Sequence, residues 1–512
     1  MFSFFKNKFE LHPFLFGIFP IFFIFVANIH LVQIEDLVTP LCYIISLIVI
    51  FTIILQIILK NKRKTAFILT IGLLLFFSYG HFYDIVEENI YNFSNKILLS
   101  IFLIVFVVIT IYFLKTKRIL DNATKISNVI ASTIIIISFV SLGTYYLDDQ
   151  SQFSSNNFVN VSEIEHNELE NFEQYRPDIY YIVLDAYTGQ ESLEKNFGFN
   201  NDKFYNFLTE NGFYIAKNSH SNYQHSYQSI TSSLMMDYIN EIDEFDLQKR
   251  TDLAYQISDE NNLMKKFKSK GYVIVNINSA WGMTRSFSVA DLNLCTDKTG
   301  ITSSELFSMT INKTILQPIF VRLFEDDRRE LVLCHFETIQ NANKITSEPM
   351  FLFSHITIPH APYVFGPNGE EIVPESLQLG YEDDPDLEGY IGQLQFTNKM
   401  IKQTIEKILL EYDEPPIIVI HSDHGSGEFQ KDIYKQTDES MQERFSNLVT
   451  ILVPDAKNNI FYDTITPVNI FRIILNEKFE EEFSILEDRM YSYDYEPPWK
   501  FVDVTEVVMK RT

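Results

Sequence analysis

Residues 415–429 read PPIIVIHSDHGSGEF, a proline pair and four apolar residues that run into His421, Ser422, Asp423, His424 and Gly425. A short β-branched run bounded by prolines and a glycine has the makings of a strand buried on both faces. Such strands belong to parallel sheets covered by helices. In those sheets ligands gather beyond the carboxyl ends of the strands, which is where Asp423 and His424 fall. Four further runs match: DIYYIVLD (178–185), YVIVNIN (272–278), MFLFSHITI (350–358) and LVTILVP (448–454). Helical patterns separate them, the clearest at about 388–411 with Ile391, Leu394, Ile401, Ile405, Ile408 and Leu409 largely on one face. The expectation over 178–512 is an α/β domain whose mainly parallel sheet is covered by helices on both faces.

The first 146 residues are different in kind. Of 512 residues 46% are hydrophobic, 46 of them Phe, and much of that excess falls in apolar stretches at 12–32, 38–59, 66–82, 97–114 and 126–146. Each is near the ~20 residues that a helix needs to cross a bilayer, so a five-span membrane domain is expected. Lys6 and Lys8, then Lys60, Lys62, Arg63 and Lys64, then Lys115, Lys117, Arg118 and Lys125 mark the cytoplasmic loops; the intervening loops carry only Lys96 among acids. This reading places the N-terminus in the cytoplasm, makes the first span a retained anchor, and puts the chain after 147 outside the plasma (inner) membrane. Residues 147–177 are polar and acidic and read as a linker. A formal net charge of −26 argues against a nucleic-acid partner. Cys295 and Cys334 are the two exported cysteines, free to form a disulfide there or to stay as buried thiols. Oligomeric state leaves no mark on the sequence.

Two expected strands end on an acid, Asp185 and Asp423, and His424 follows the second. Oxygen and nitrogen donors of this kind suit one divalent metal, with Zn²⁺ or Mn²⁺ ahead of Mg²⁺ or Ca²⁺. Singly, each is also what a helix cap or a turn would show. In SNYQHSYQSITSSLMMDYI (221–239) a helix is expected to start near Ser226, with Ile230, Leu234 and Ile239 as buried positions. A hydroxyl there sits where helix N–H groups favour an anion, and beside a metal it can act as a nucleophile. In FSHITIPHAPYVFGPNG (353–369) the proline-bounded His360 suits substrate binding or general-acid work, and His355 a core or supporting place.

Taken in order, PDIYYIVLDAY, the Ser226 segment, PHAPYVF and SDHG resemble the alkaline phosphatase and sulfatase superfamily over about 178–480. ERFSNLVTILVP (443–454) and ITPVNIFRIILN (465–476) are similar to the closing strand and helix of sulfatase-like domains. With the membrane domain ahead of it, the chain looks like the lipoteichoic acid synthase type and the phosphoethanolamine transferases. That resemblance implies Asp185, Ser226, Asp423 and His424 as metal ligands, Ser226 as nucleophile and His360 near the transferred group. It also implies a lipid or glycan substrate of the cell envelope and transfer of a phospho-head-group through a covalent Ser226 intermediate. Ser226 stands where those families carry Thr, and Asp185 where the lipoteichoic acid enzymes carry Glu. The C/S-x-P-x-R motif of formylglycine sulfatases is missing, and Asp383 and Asp384 lack the Gly-His that a second metal would need. Two alternatives stand beside the transferase: a sulfatase-like hydrolase of phosphate or sulfate esters, and a catalytically dead membrane sensor or assembly protein.

Overall fold

The computed structural model describes residues 10–29, 32, 34–89, 95–153, 176–240, 258–259, 261–296, 305–373, 386–427, 437–456, 460–493 and 501–510. Most of the acidic linker, and Asp383 and Asp384, lie outside them. The chain divides into two compact units, residues 1–168 with 301–323, and 169–300 with 324–512.

The first unit is helical: α1 (His12–Ala27), α2 (Val38–Leu59), α3 (Lys62–Asn89), α4 (Asn95–Lys115) and α5 (Asp121–Phe153). Four of these, α2 to α5, are long and apolar enough to cross a membrane. The first of the five expected spans is shorter than its sequence promised. The Asn28 side-chain amide donates to the Ile24 carbonyl and closes α1 after 16 residues, about 24 Å of helix against a hydrocarbon core of ~30 Å. α3 is the inner helix, half of its apolar stretch buried against 11% in α2, α4 and α5. Residues 305–323, read from sequence as part of the exported domain, pack instead with these helices. Leu306 joins a core with Ile21, Phe25, Leu37 and Phe77, and Gly80 donates to the Lys313 carbonyl. A Cβ at Gly80 would meet the Lys313 backbone at 2.5 Å, so this approach needs glycine.

The second unit is built on β1 (Ile179–Asp185). Its alternation sends Tyr180, Ile182 and Leu184 to one face and Ile179, Tyr181 and Val183 to the other, and all six are buried. A central strand apolar on both faces needs cover on both. Along the chain follow α6 (Gln190–Phe197), α7 (Asp202–Glu210), β2 (Tyr214–Ile215), α8 (Ser226–Met235), α9 (Asn262–Ser269), β3 (Val273–Ile277), α10 (Gly282–Arg285) and β4 (Leu292–Leu294). After α11 (Glu305–Asn312) of the first unit come α12 (Gln317–Gln340), β5 (Met350–Pro359), α13 (Leu387–Glu411), β6 (Ile417–Ser422), α14 (Asp438–Phe445), β7 (Val449–Leu452) and α15 (Pro467–Phe479). The Tyr180 face packs on α6, α7, α13 and the later part of α12, the Tyr181 face on α8, α9 and α15. The sheet order is β2-β7-β6-β1-β5-β3-β4. Five strands run parallel, as expected; β7 runs antiparallel to β6, and the short β2 antiparallel to β7. A separate two-stranded sheet, β8 (Tyr491–Tyr493) with β9 (Phe501–Asp503), packs against Tyr223.

Cys295, just past β4, is joined to Cys334 on α12 in a disulfide that closes a separation of 39 residues. Chain-entropy estimates put such a loop at about 2–4 kcal/mol. Replacing both cysteines by Ser is expected to lower the unfolding midpoint of the detergent-solubilised chain by several degrees, and reductant to do the same to the wild type. An unchanged midpoint in both would show that the bridge carries no stability.

Candidate active site

Parallel register decides where the acids meet. Leu184 of β1 lies opposite Ser422 of β6, so Asp185 and Asp423 leave the sheet side by side at the same height. Between Leu184 and Asp185 the pairing with β5 slips, and Asp185 falls opposite Pro359. An irregularity of this sort re-aims a side chain, and the Asp185 carboxylate lies between His424 and His355, 3.9 Å from each. Ala186 then takes a left-handed φ of 62°, unusual for a residue with a Cβ, and its N–H donates to Asp423 Oδ1 at 3.0 Å.

His424 completes the group. Burial first, and the neighbouring Arg444 second, hold its pKa well below the ordinary imidazole value, so the ring is neutral. Nδ1 lies 2.8 Å from the Gly425 carbonyl, which can only accept, so Nδ1 carries the proton and Nε2 presents a lone pair. That lone pair lies 3.4 Å from Asp423 Oδ2 and 3.9 Å from Asp185 Oδ1. Both oxygens are buried and without a hydrogen-bond partner. The three donor atoms lie within 4.8 Å of one another, the only such group of acids, imidazoles or thiols among the described residues. Two orphaned carboxylate oxygens and an imidazole lone pair within 4.8 Å of one another fit a divalent cation.

Ser226 is the first residue of α8, as its sequence predicts, and its Oγ lies 3.0 Å from His424 Nε2. The helix is fixed from beneath: Ile230 and Leu234 are fully buried, and Ser229 Oγ donates to the Asp423 carbonyl at 2.6 Å. Ile239 is buried too, but beyond the end of the helix and against Tyr223. The hydroxyl therefore sits among the exposed N–H groups of a helix start, beside the donor group.

His360 also reaches this place. Its N–H donates to the Asp185 carbonyl, and its ring lies 6.5 Å from that of His424, centroid to centroid. Nδ1–H donates to the Ala361 carbonyl at 2.6 Å, which leaves Nε2 as an acceptor; burial, and the two arginines described next, lower its pKa to about 4. His355 stands behind Asp185, with Nδ1 2.9 Å from Thr284 Oγ1 and Nε2 3.9 Å from Asp185 Oδ2.

Sequence reasoning missed two arginines. Arg328 on α12 is half-buried, and its Nη2 donates to the carbonyls of Thr357, His360 and Ala361, so it braces the His360 loop. Arg444 at the end of α14 is 6% exposed and braces the turn after His424, with Nη1 donating to the Gly425 and Ser426 carbonyls. Gly425 itself is boxed in: a Cβ there would meet the Glu443 carbonyl at 2.1 Å. The one signal for Arg444 was its place in ERF, directly ahead of an apolar strand, and a charged surface helix would have looked the same.

No family model and no curated protein matches the sequence. Solved structures do. The C-terminal periplasmic domain of EptC from Escherichia coli, in complex with zinc, is 11% identical over 65% of this chain and 94% of its own, with a TM-score of 0.40. The corresponding domain of the phosphoethanolamine transferase EptC from Campylobacter jejuni is 13% identical over 61% and 92%, with a TM-score of 0.38. The integral membrane lipooligosaccharide phosphoethanolamine transferase A from Neisseria meningitidis is 12% identical over 87% of each chain, with a TM-score of 0.36.

Burial raises Asp185 from an ordinary 3.8 to about 6; burial and then the charge of Asp185 raise Asp423 to about 7. In the metal-free fold the protonated forms are thus favoured. Their contribution to stability is full below pH ~4 and is lost as pH rises through about 6 to 7. A cation needs both carboxylates ionised, so its binding must release protons at pH 6. Zn²⁺ is expected to raise the unfolding midpoint little at pH 5 and strongly at pH 8. Calorimetry in buffers of different ionisation enthalpy at pH 6 is expected to show proton release that Asp423→Asn abolishes. A Zn²⁺ effect independent of pH and indifferent to that substitution would mean the ion binds elsewhere.

Proposed function

We propose that the chain is a membrane-anchored, metal-dependent phosphotransferase that moves a phospho-head-group from a lipid to an envelope acceptor through a covalent Ser226 intermediate. One observation carries the reading: Ser226 Oγ, at the start of a buried helix, lies 3.0 Å from the lone pair on which two unpartnered carboxylate oxygens converge. A hydroxyl placed to be ionised, beside a site for a cation and at a helix N-terminus, is the apparatus of nucleophilic attack on an anionic ester. A protein that had lost its chemistry would have no reason to keep two carboxylates each with a bare buried oxygen, at a cost in stability at neutral pH.

Asp185, Asp423, His424 and Ser226 would hold the metal. When bound, the cation would lower the pKa of the Ser226 hydroxyl and offset charge on the phosphoryl oxygens. Ser226 Oγ forms a bond to phosphorus, the phosphorus–oxygen bond to diacylglycerol breaks, and the serine proton passes to the departing diacylglycerol oxygen. The helix N–H groups at Ser226 favour the charge that gathers on the phosphoryl oxygens. In the second half-reaction the acceptor hydroxyl attacks phosphorus, Ser226 Oγ leaves, and the acceptor proton ends on it. His360, held with Nε2 as a lone pair, is equipped to take up that proton and return it; in this tautomer it accepts rather than donates.

The membrane suits a lipid donor, and the sidedness follows from the later helices. With the basic loops at 60–64 and 115–125 in the cytoplasm, α5 leads outward whether or not the 16-residue α1 crosses. The segment 305–323 packs on the end of α1, the start of α2 and the end of α3, which this topology puts on the outer side. The Cys295–Cys334 disulfide belongs to an oxidising compartment.

The detergent-solubilised chain, loaded with Zn²⁺ or Mn²⁺, should be exposed to phosphatidylethanolamine or phosphatidylglycerol and its mass measured intact, with peptide mapping. The expected result is a head-group phosphate adduct on Ser226 with one of the lipids, and none in Ser226→Ala. Release of phosphorylated head group without an adduct or acceptor would make the protein a hydrolase. A metal-loaded chain that neither labels nor hydrolyses would sink the enzymatic reading.

A further inference from the structure

Arg444 has more to do than brace a turn. Its Nε donates to the Gln224 carbonyl at 2.7 Å and its Nη1 to the carbonyls of Gly425 and Ser426. Nη2 donates to His424 Nε2 at 3.1 Å, its one acceptor among the described residues. Among the described residues no carboxylate pairs with this buried cation at ion-pair distance, although buried charges are ordinarily paired. Arg328 is half-buried, and there Nη2 is spent on three carbonyls.

The acceptor that Arg444 uses is the lone pair that the donor group offers to a metal. An imidazole nitrogen has one such pair, so Arg444 and a cation cannot both hold it. Ser226 Oγ lies 3.0 Å from the same nitrogen. A cation that takes Nε2 therefore leaves Nη2 as a buried, charged donor with no acceptor, close to the nucleophile. The missing partner must be negative and must arrive with the substrate.

We propose that Arg444 binds an anionic oxygen of the transferred phosphoryl group, and that it caps His424 Nε2 until the metal claims that atom. This rests on the phosphotransferase reading above and adds the residue that recognises the anion. Two consequences have opposite signs. Arg444 competes with the metal for a lone pair and repels it, so its removal strengthens metal binding; it also supplies a charged hydrogen bond to the phosphate, so its removal weakens anion binding.

The test measures Zn²⁺ affinity by chelator competition, and inorganic phosphate affinity of the Zn²⁺-loaded protein by calorimetry, on the detergent-solubilised full chain as wild type, Arg444→Gln and Arg444→Lys. Arg444→Gln is expected to bind Zn²⁺ about fivefold to tenfold more tightly and phosphate about tenfold to a hundredfold more weakly, the range of a hydrogen bond to a charged group. Arg444→Lys, which keeps the charge without the fork, is expected to fall between in phosphate affinity and carries the test if the Gln variant does not fold. A loss of both affinities together would show that Arg444 only holds the Gly425–Ser426 turn, and unchanged phosphate binding would likewise overturn the proposal. If the wild type takes up no Zn²⁺, the phosphotransferase reading falls and this proposal with it; if it takes up Zn²⁺ and phosphate and the variants match it, only this proposal falls.

Discussion

Two carboxylates that repel each other are held a few ångströms apart at the end of a parallel sheet, and much of the second unit serves that juxtaposition. Register sets it, because Leu184 opposite Ser422 leaves Asp185 and Asp423 no place but side by side. The slipped pairing before Asp185 turns that residue inward, and left-handed Ala186 gives Asp423 one hydrogen bond while leaving its other oxygen bare. Ser229 ties the nucleophile helix to the same strand end. A water-filled site could not do this, since hydration would satisfy the bare oxygens and screen the two charges. The buried one keeps them available for a cation.

The periodicity of the chain made the sheet legible because β1, β3, β5 and β6 are buried on both faces and carry unbroken apolar runs, which few other settings tolerate. The site was legible for the same reason. A strand-end acid in such a sheet is visible against an apolar background, and Ser226 showed itself as the start of a helix pattern. The antiparallel direction of β7 was not legible, since a buried antiparallel strand carries the same apolar run as a parallel one. Nor was the state of His424: whether its Nε2 is a donor or a lone pair depends on the Gly425 carbonyl, a backbone group that no side-chain pattern encodes.

Charged residues inside the fold were the hardest to read. Arg328 lies in DDRRELVL and Arg444 in ERF, local sequences in which a basic residue on a helix is ordinarily solvated. Their burial is set by distant backbone carbonyls, those of Thr357, His360 and Ala361 for one and of Gln224 for the other, brought near only by the tertiary fold. The excursion of residues 305–323 into the helical unit escaped for a similar reason. Glu305–Asn312 is amphipathic, and such a helix can lie on a sheet or on a helix bundle equally well.

Counting charges at the site narrows what it can process. Asp185 and Asp423, once ionised, balance a divalent cation, and the neutral imidazoles of His355, His360 and His424 add nothing. Two guanidinium groups remain, those of Arg328 and Arg444, and both act electrostatically on Asp185. The buried Glu443 carboxylate, which accepts from Ser426 and Gly427, offsets one of them. A neutral ester would leave that excess uncompensated in a region shielded from solvent. On the proposed reading an anionic ester supplies one negative charge, and attack by the ionised hydroxyl moves a second from Ser226 Oγ onto the oxygens of the transferred group. Donors fixed at those oxygens, the helix N–H groups at Ser226 and the Arg444 guanidinium, would then be matched better by the transition state than by the bound substrate, which is the direction in which binding energy lowers a barrier.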